Sequence, residues 1–206
     1  MVLALMSCAG ESARRVRLEI PARSTFRPDE FRELIITRFL IDGAPEGFDL
    51  DQEIVAFFLP EFERKLGLPV TAPSVRLENE EFIRRPSFWT ALVPGSPGRL
   101  YIAGKAGLTR EVRKSIRGEV PGEDPFSPQR KIVERTFFSL SLHFFLIRGD
   151  DGELLLDRDF KETKIYVDPK QRTDFAFHDL SMRIKDKFFR LILSEAGIQE
   201  RYLLLK

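Results

Sequence analysis

Polar and apolar residues change period several times along this chain, and each change marks an element. Val16, Leu18 and Ile20 alternate with Arg15, Arg17 and Glu19, the period of two expected of a half-buried strand, and Pro21 ends it. Leu34-Ile35-Ile36-Thr37-Arg38-Phe39-Leu40-Ile41 is a nearly unbroken apolar run, which predicts a strand covered on both faces and central in a sheet. Gly43 to Gly47 reads as a loop. The period then shifts to three and four. Ile54, Val55, Phe58, Phe62 and Leu66 predict a helix capped by Asp49 or Asp51 and closed by Gly67. Pro60 falls inside it and predicts a kink or a division, because proline lacks the N–H and its ring crowds the preceding turn. Val70-Thr71 starts a short strand.

The second half follows the same logic. Glu80 to Val93 predicts helix in pieces, with Pro86 at the first position of the second piece. Pro94 to Gly98 is a loop by composition, and Arg99 to Lys105 is a strand. Leu108, Val112 and Ile116 fit either period; the bracketing glycines Gly107 and Gly118 and the β-type neighbours favour a strand. Pro121 to Pro128 is a polar, proline-rich loop and the expected mobile insertion. Lys131 to Arg148 is the longest strand, with Phe138, Leu140, Leu142, Phe144 and Leu146 on one face and Ser139, Ser141 and His143 on the other. Gly149-Asp150-Asp151-Gly152 predicts a hairpin turn, and Glu153 to Val167 returns as a sheet edge or an extended arm. A helix over Asp174 to Glu195 carries Phe177, Leu180, Ile184, Phe188, Leu191 and Ile192, with Gly197 as its stop. At ~1.5 Å per residue it spans ~33 Å, enough to cross a sheet face. Arg201 to Leu205 is a final short strand. This succession predicts an α/β (α+β) fold: a mixed sheet with packed helices, a long antiparallel hairpin and a long C-terminal helix, in one domain over 14–206 after a tether over 1–13.

Composition narrows the function classes. The chain has 206 residues, of which 43% are hydrophobic, including 19 Phe, so it can fold around its own core without disulfides or metal. Lys and Arg number 33 against 32 Asp and Glu, so no net field draws it to nucleic acid, and no such partner is expected. No apolar run approaches the ~20 residues of a membrane helix, leaving only the N-terminus as a contact with a bilayer.

That N-terminus holds the single cysteine. Leu5-Met6-Ser7-Cys8-Ala9 follows the apolar Val2-Leu3-Ala4 and precedes Gly10-Glu11-Ser12, which has the character of a flexible tether. The arrangement resembles the lipobox of bacterial lipoproteins. In that family the cysteine becomes the first residue after leader cleavage and carries the lipid. The resemblance implies lipidation at Cys8, anchoring in the bacterial cell envelope on the periplasmic face of the outer membrane, and a leader extending upstream of Met1, since leaders need about 15 residues and a charged start. A free cysteine behaving as a small hydrophobe is the plainer alternative. A second resemblance covers most of the chain. The apolar run Ile35 to Phe39, the Gly-rich loop, the helix with Leu-Pro-Glu-Phe-Glu-Arg-Lys-Leu and the acidic turn Asp150-Asp151-Gly152-Glu153 resemble an envelope domain. It is shared by the curli-secretion channel lipoprotein and the N-terminal part of TolB, and it implies binding or assembly rather than catalysis.

Little else points to a reaction. His143 and His178 are the only histidines and neither sits in a metal-ligand spacing, so neither a metal nor a cofactor is expected. No Gly-x-Ser-x-Gly elbow or phosphate loop occurs. Asp157 and Asp159 share a strand face and suit paired acid–base carboxylates, although a solvated face explains them as well. Arg148-Gly149-Asp150 spells an adhesion tripeptide that the turn already accounts for. Arg110, Arg113, Lys114 and Arg117 form a basic cluster, either an anion-binding patch or a solvated face. Adjacent phenylalanines (Phe57-Phe58, Phe137-Phe138, Phe144-Phe145, Phe188-Phe189) cannot both face one core. Either the sheet is covered on both sides, or rings such as Phe57, Phe58, Phe137, Phe145 and Phe189, with Arg113 and Arg117, mark a protein-binding surface. The expected function is a non-enzymatic, lipid-anchored envelope protein that binds or helps assemble another component, as a heteromeric partner or a homo-oligomer. A soluble ligand-binding domain or an unrecognised hydrolase is the alternative.

Overall fold

Leu34 and Ile36 point to one side of their strand and Ile35 to the other, yet all three are at most 5% exposed, so the sheet is covered on both faces. The computed structural model describes residues 13–20, 26–73, 75–92, 97–116, 132–193 and 197–204. Cys8 with its tether, Arg117 and the Pro121 to Pro128 loop lie outside them.

The elements run β1 (Ala13–Ile20), a 3-10 turn (Pro28–Glu30), β2 (Glu33–Ile36), β3 (Leu40–Gly43), α1 (Leu50–Leu66), β4 (Val70–Thr71), α2 (Glu80–Ile83), α3 (Pro86–Leu92), β5 (Arg99–Ile116), β6 (Ile132–Arg148), β7 (Leu154–Tyr166), α4 (Thr173–Ile192) and β8 (Gly197–Leu204). Six strands form the mixed sheet in the order β4-β2-β5-β6-β7, with β3 also on β5. β2 runs parallel to β4 and β5, and β5, β6 and β7 form an antiparallel meander. The α+β class read from the sequence is the one observed.

One face carries the larger core: Leu100, Ile102, Phe138, Leu140, Leu142 and Phe144 pack under α1 and α4. The other carries a smaller one: Ile35, Tyr101, Ala103, Phe145 and Ile147 pack against Ile83 of α2 and Trp89 of α3. Trp89 is 1% exposed, and its ring N–H donates to the Ile83 carbonyl at 2.9 Å, which locks the two short helices together.

Four expectations are corrected. Pro60 does not divide α1, which is continuous from Leu50 to Leu66 between its Asp49 and Gly67 caps. Pro60 and Ala56 are both exposed, so the carbonyl that the missing N–H leaves free faces water. The run from Leu34 to Ile41 breaks after Ile36. The Asp51 carboxylate of α1 accepts from the Phe39 backbone N–H at 2.7 Å, and Phe39 turns inward against Gly104, where an added Cβ would lie 2.2 Å from its ring. Gly107 does not bracket a strand, because β5 passes through it without interruption. Gly197 opens β8 rather than stopping α4. The two terminal strands pair with each other, antiparallel from Ala13↔Leu204 to Ile20↔Gly197, as a separate two-stranded sheet.

Candidate functional site

Among the described residues, two places combine polar side chains with an opening to solvent. The first lies on the α2–α3 face of the sheet, where the apolar cover ends. β6 presents His143 and β7 presents Asp157 and Asp159, the carboxylates singled out by their shared strand face. His143 Nε2 is 2.6 Å from Asp157 Oδ1, and Nδ1 is 2.9 Å from Asp159 Oδ1. The ring also stacks on Phe145, with centroids 4.1 Å apart. Arg84, just after α2, donates to the second oxygen of Asp157 at 2.8 Å. Burial pushes the Asp157 carboxyl up, and the His143 and Arg84 hydrogen bonds more than offset it, holding the group below the usual carboxylate range. Lys105 extends the network to Glu80 at 3.0 Å and Asp42 at 3.7 Å. A cleft of about 80 Å³ opens between Asp42, Lys105, Ser141, His143 and Asp159, room for water but not for a metabolite. Both ring nitrogens of His143 thus face carboxylates of β7, and the Ser141 hydroxyl donates to the Gly107 carbonyl at 3.2 Å. The arrangement joins α2, β6 and β7.

The second place is a groove of about 770 Å³ between α1 and α4. α4 carries two apolar stripes. Phe177, Leu180, Ile184, Phe188 and Ile192 are buried against the sheet. Phe175, His178 and Met182, at i, i+3 and i+7, face outward, and Phe175 is 57% exposed. Ala56, Phe57 and Pro60 supply the opposite wall from α1. Phe57 holds the groove floor through edge contacts with Phe177 and His178 at 6.2 and 5.3 Å. Glu53, Glu61, Arg172 and Asp174 rim it. Glu61 is tied to Arg64 and to the nearly buried Lys185, and these cations outweigh the upward push of burial, leaving its carboxyl below the usual range. The sequence reading missed this groove because the buried stripe of α4 masks the second one; the signal was Phe175, His178 and Met182 at helical spacing.

The phenylalanine pairs resolve individually. Phe58, Phe145 and Phe189 are at most 2% exposed, so their assignment to an interaction surface is corrected: each fills the core, because helices cover both faces of the sheet. Phe57 and Phe137 are partly exposed. Phe137 lies beneath the Arg113 guanidinium at 4.8 Å, and Arg113 also pairs with Glu111. Arg110 donates to the Pro169 carbonyl at 3.0 Å, on the other side of the strand. Arg110 and Arg113 therefore engage different partners on opposite sides of β5. His178 stands at the groove, far in sequence and chemistry from the His143 network.

No protein-family model and no curated protein sequence matches this chain. Solved structures do. The hypothetical protein CT253 from Chlamydia trachomatis is 10% identical over 80% of this chain and 94% of its own, with a TM-score of 0.43. Lipoprotein GNA1162 from Neisseria meningitidis is 10% identical over 76% of this chain and 98% of its own, with a TM-score of 0.42. TolB from Acinetobacter baumannii is 10% identical over 90% of this chain and 32% of its own, with a TM-score of 0.39. Bacterial lipoproteins and TolB are thus among the structural neighbours, at low identity. Similarity at this level carries no argument about function.

Proposed function

We propose that this chain is a lipid-anchored protein of the bacterial cell envelope that works by binding a protein partner. The observation that carries the binding half is the α1–α4 groove, whose exposed Phe175 and Met182 add aromatic and thioether surface to a concavity of ligand-binding size. The anchoring half rests on the lipobox-like residues around Cys8. On this reading the anchor sits in the outer membrane with the domain on the periplasmic side, and the chain serves an assembly role there, as its sequence resemblance to the curli-secretion channel lipoprotein implies.

Two measurements test it. Mass spectrometry of the native protein is expected to find an acylated Cys8 at the mature N-terminus, and Cys8→Ser is expected to move the protein from the membrane to the soluble fraction. An unmodified Met1 on the native chain overturns the anchor. A photo-reactive residue at position 175 or 182 is expected to give one discrete adduct in cells, absent when the residue is placed at exposed Glu78. Identical adduct patterns from both positions overturn the groove as the binding site.

A further inference from the structure

The β7 strand is the outer strand of the sheet, and among the described residues nothing pairs with its far edge. An open edge of this length is a template for another strand, and charged side chains usually serve to discourage that pairing. Here the charges do something more specific. Phe160 is the midpoint of Leu154–Tyr166. An antiparallel pairing of two copies about a two-fold axis at Phe160 sets Arg158 opposite Glu162 and Asp159 opposite Lys161, each twice by symmetry. Asp157 then meets Thr163, Leu156 meets Lys164, Leu154 meets Tyr166, and Phe160 meets its own copy. No like charges face each other. Sliding the axis to residue 158, 159, 161 or 162 sets Arg158, Asp159, Lys161 or Glu162 against itself. Directly opposed like charges destabilise a ladder, whereas opposite charges and aromatic pairs stabilise it.

Three of the four charged groups are open to a partner. Arg158 and Lys161 are exposed and, among the described residues, have no ion-pair partner of their own. Asp159 is 80% exposed even with His143 on one oxygen, and Glu162 is held in place by Lys187 of α4. Phe160 packs on Phe144 and Phe188, so a second Phe160 across the axis would extend an existing aromatic cluster. We propose that β7 pairs with β7 of a second copy of this chain, antiparallel about Phe160, joining two sheets into one. This interface goes beyond the groove and does not depend on the lipid anchor.

Sedimentation of the full chain carrying Cys8→Ser tests it. A dimer is expected. R158E, at an exposed and unpaired position, should keep the fold and weaken the dimer at least tenfold, and R158E combined with E162R should restore it. In the same background, R158C with E162C should oxidise to a disulfide-linked dimer. The two positions are four residues apart on one strand, too far to bridge within a chain, but they face each other across the proposed axis. R158C alone should not cross-link. A chain that stays monomeric, or a dimer indifferent to R158E that the paired cysteines fail to trap, overturns the proposal.

Discussion

His143 Nε2 lies 2.6 Å from Oδ1 of Asp157, a diagonal contact between two neighbouring strands, since the register sets His143 opposite Asp159 and Phe145 opposite Asp157. The diagonal leaves the second Asp157 oxygen free for Arg84, 73 residues earlier in the chain. One carboxylate thereby fixes the end of α2 onto the sheet at the edge of its apolar cover, and one imidazole separates two carboxylates that would otherwise repel.

Asp157→Asn is therefore expected to destabilise the fold by about 1–2 kcal/mol, the low end for a hydrogen bond to a charged partner because the Arg84 guanidinium is half exposed to screening solvent. His143→Ala should cost more, because it also removes the stack on Phe145 and leaves Asp157 and Asp159 facing each other. Urea denaturation at neutral pH measures both. The sign of the pH effect follows from the depressed Asp157 carboxyl. Its contribution is fully present above the unfolded value of ~3.9 and is lost as pH falls below it toward the folded value. The difference between wild type and Asp157→Asn should accordingly shrink below about pH 4.

Tyr166 gives the opposite sign. Its hydroxyl donates to Asp179 at 2.8 Å, and burial followed by that carboxylate pushes the phenol well above its usual range. Stability from this bond is present below the unfolded value of ~10 and is lost as pH rises beyond it. Tyr166→Phe should cost about 1 kcal/mol at neutral pH and less above about pH 10. In an absorbance titration the variant should lose one of the phenols that resist ionisation in the folded protein, buried Tyr101 being another.

What the sequence disclosed was local. The alternation of Phe138 to Leu146, the Asp151-Gly152 turn and the stripe from Phe177 to Ile192 each state a period or a backbone need within a few residues, and each forms as expected except at Leu191, which is 42% exposed in the last turn of α4. What it hid was long-range. Nothing near Ala13 indicates that it will pair with Leu204, and nothing near Arg84 indicates Asp157. The α2 and α3 helices span only four and seven residues, too short to be stable alone, so the second layer that buries Phe145 exists only in the folded context. For the same reason adjacent phenylalanines allowed two readings, and only the position of the covering helices decides between them. Pro60 was misjudged because its cost depends on whether the freed carbonyl meets water, which is a tertiary fact.

Phe58 of α1 and Phe175 of α4 should behave as a matched contrast between core and groove. Phe58→Ala empties a site that is 1% exposed, between Phe62 and Phe144, and is expected to cost about 3–5 kcal/mol. Phe175→Ala at the groove removes a 57% exposed ring and should change stability by no more than about 0.5 kcal/mol. Denaturation midpoints compare them directly. If the groove serves binding, Phe175→Ala should also be the variant that lowers photo-adduct yield from position 182 while the fold is intact.

The hairpin turn supplies a prediction that separates backbone strain from packing. Gly152 has φ of +74°, and a Cβ there would lie 2.5 Å from Cα of Pro86, the first residue of α3. Gly47 has nearly the same φ, +73°, but nothing within 4 Å of the added atom. Gly47→Ala should therefore show the left-handed penalty alone, about 1–2 kcal/mol. Gly152→Ala adds a clash with backbone, which cannot swing aside as a side chain does, and is expected to cost about 3 kcal/mol or more. The position of the clash makes the result local as well as large. Trp89 is the single tryptophan and sits in α3, so its fluorescence should red-shift in Gly152→Ala before global unfolding and stay unchanged in Gly47→Ala. Equal losses for the two variants would mean that α3 does not rest on the turn.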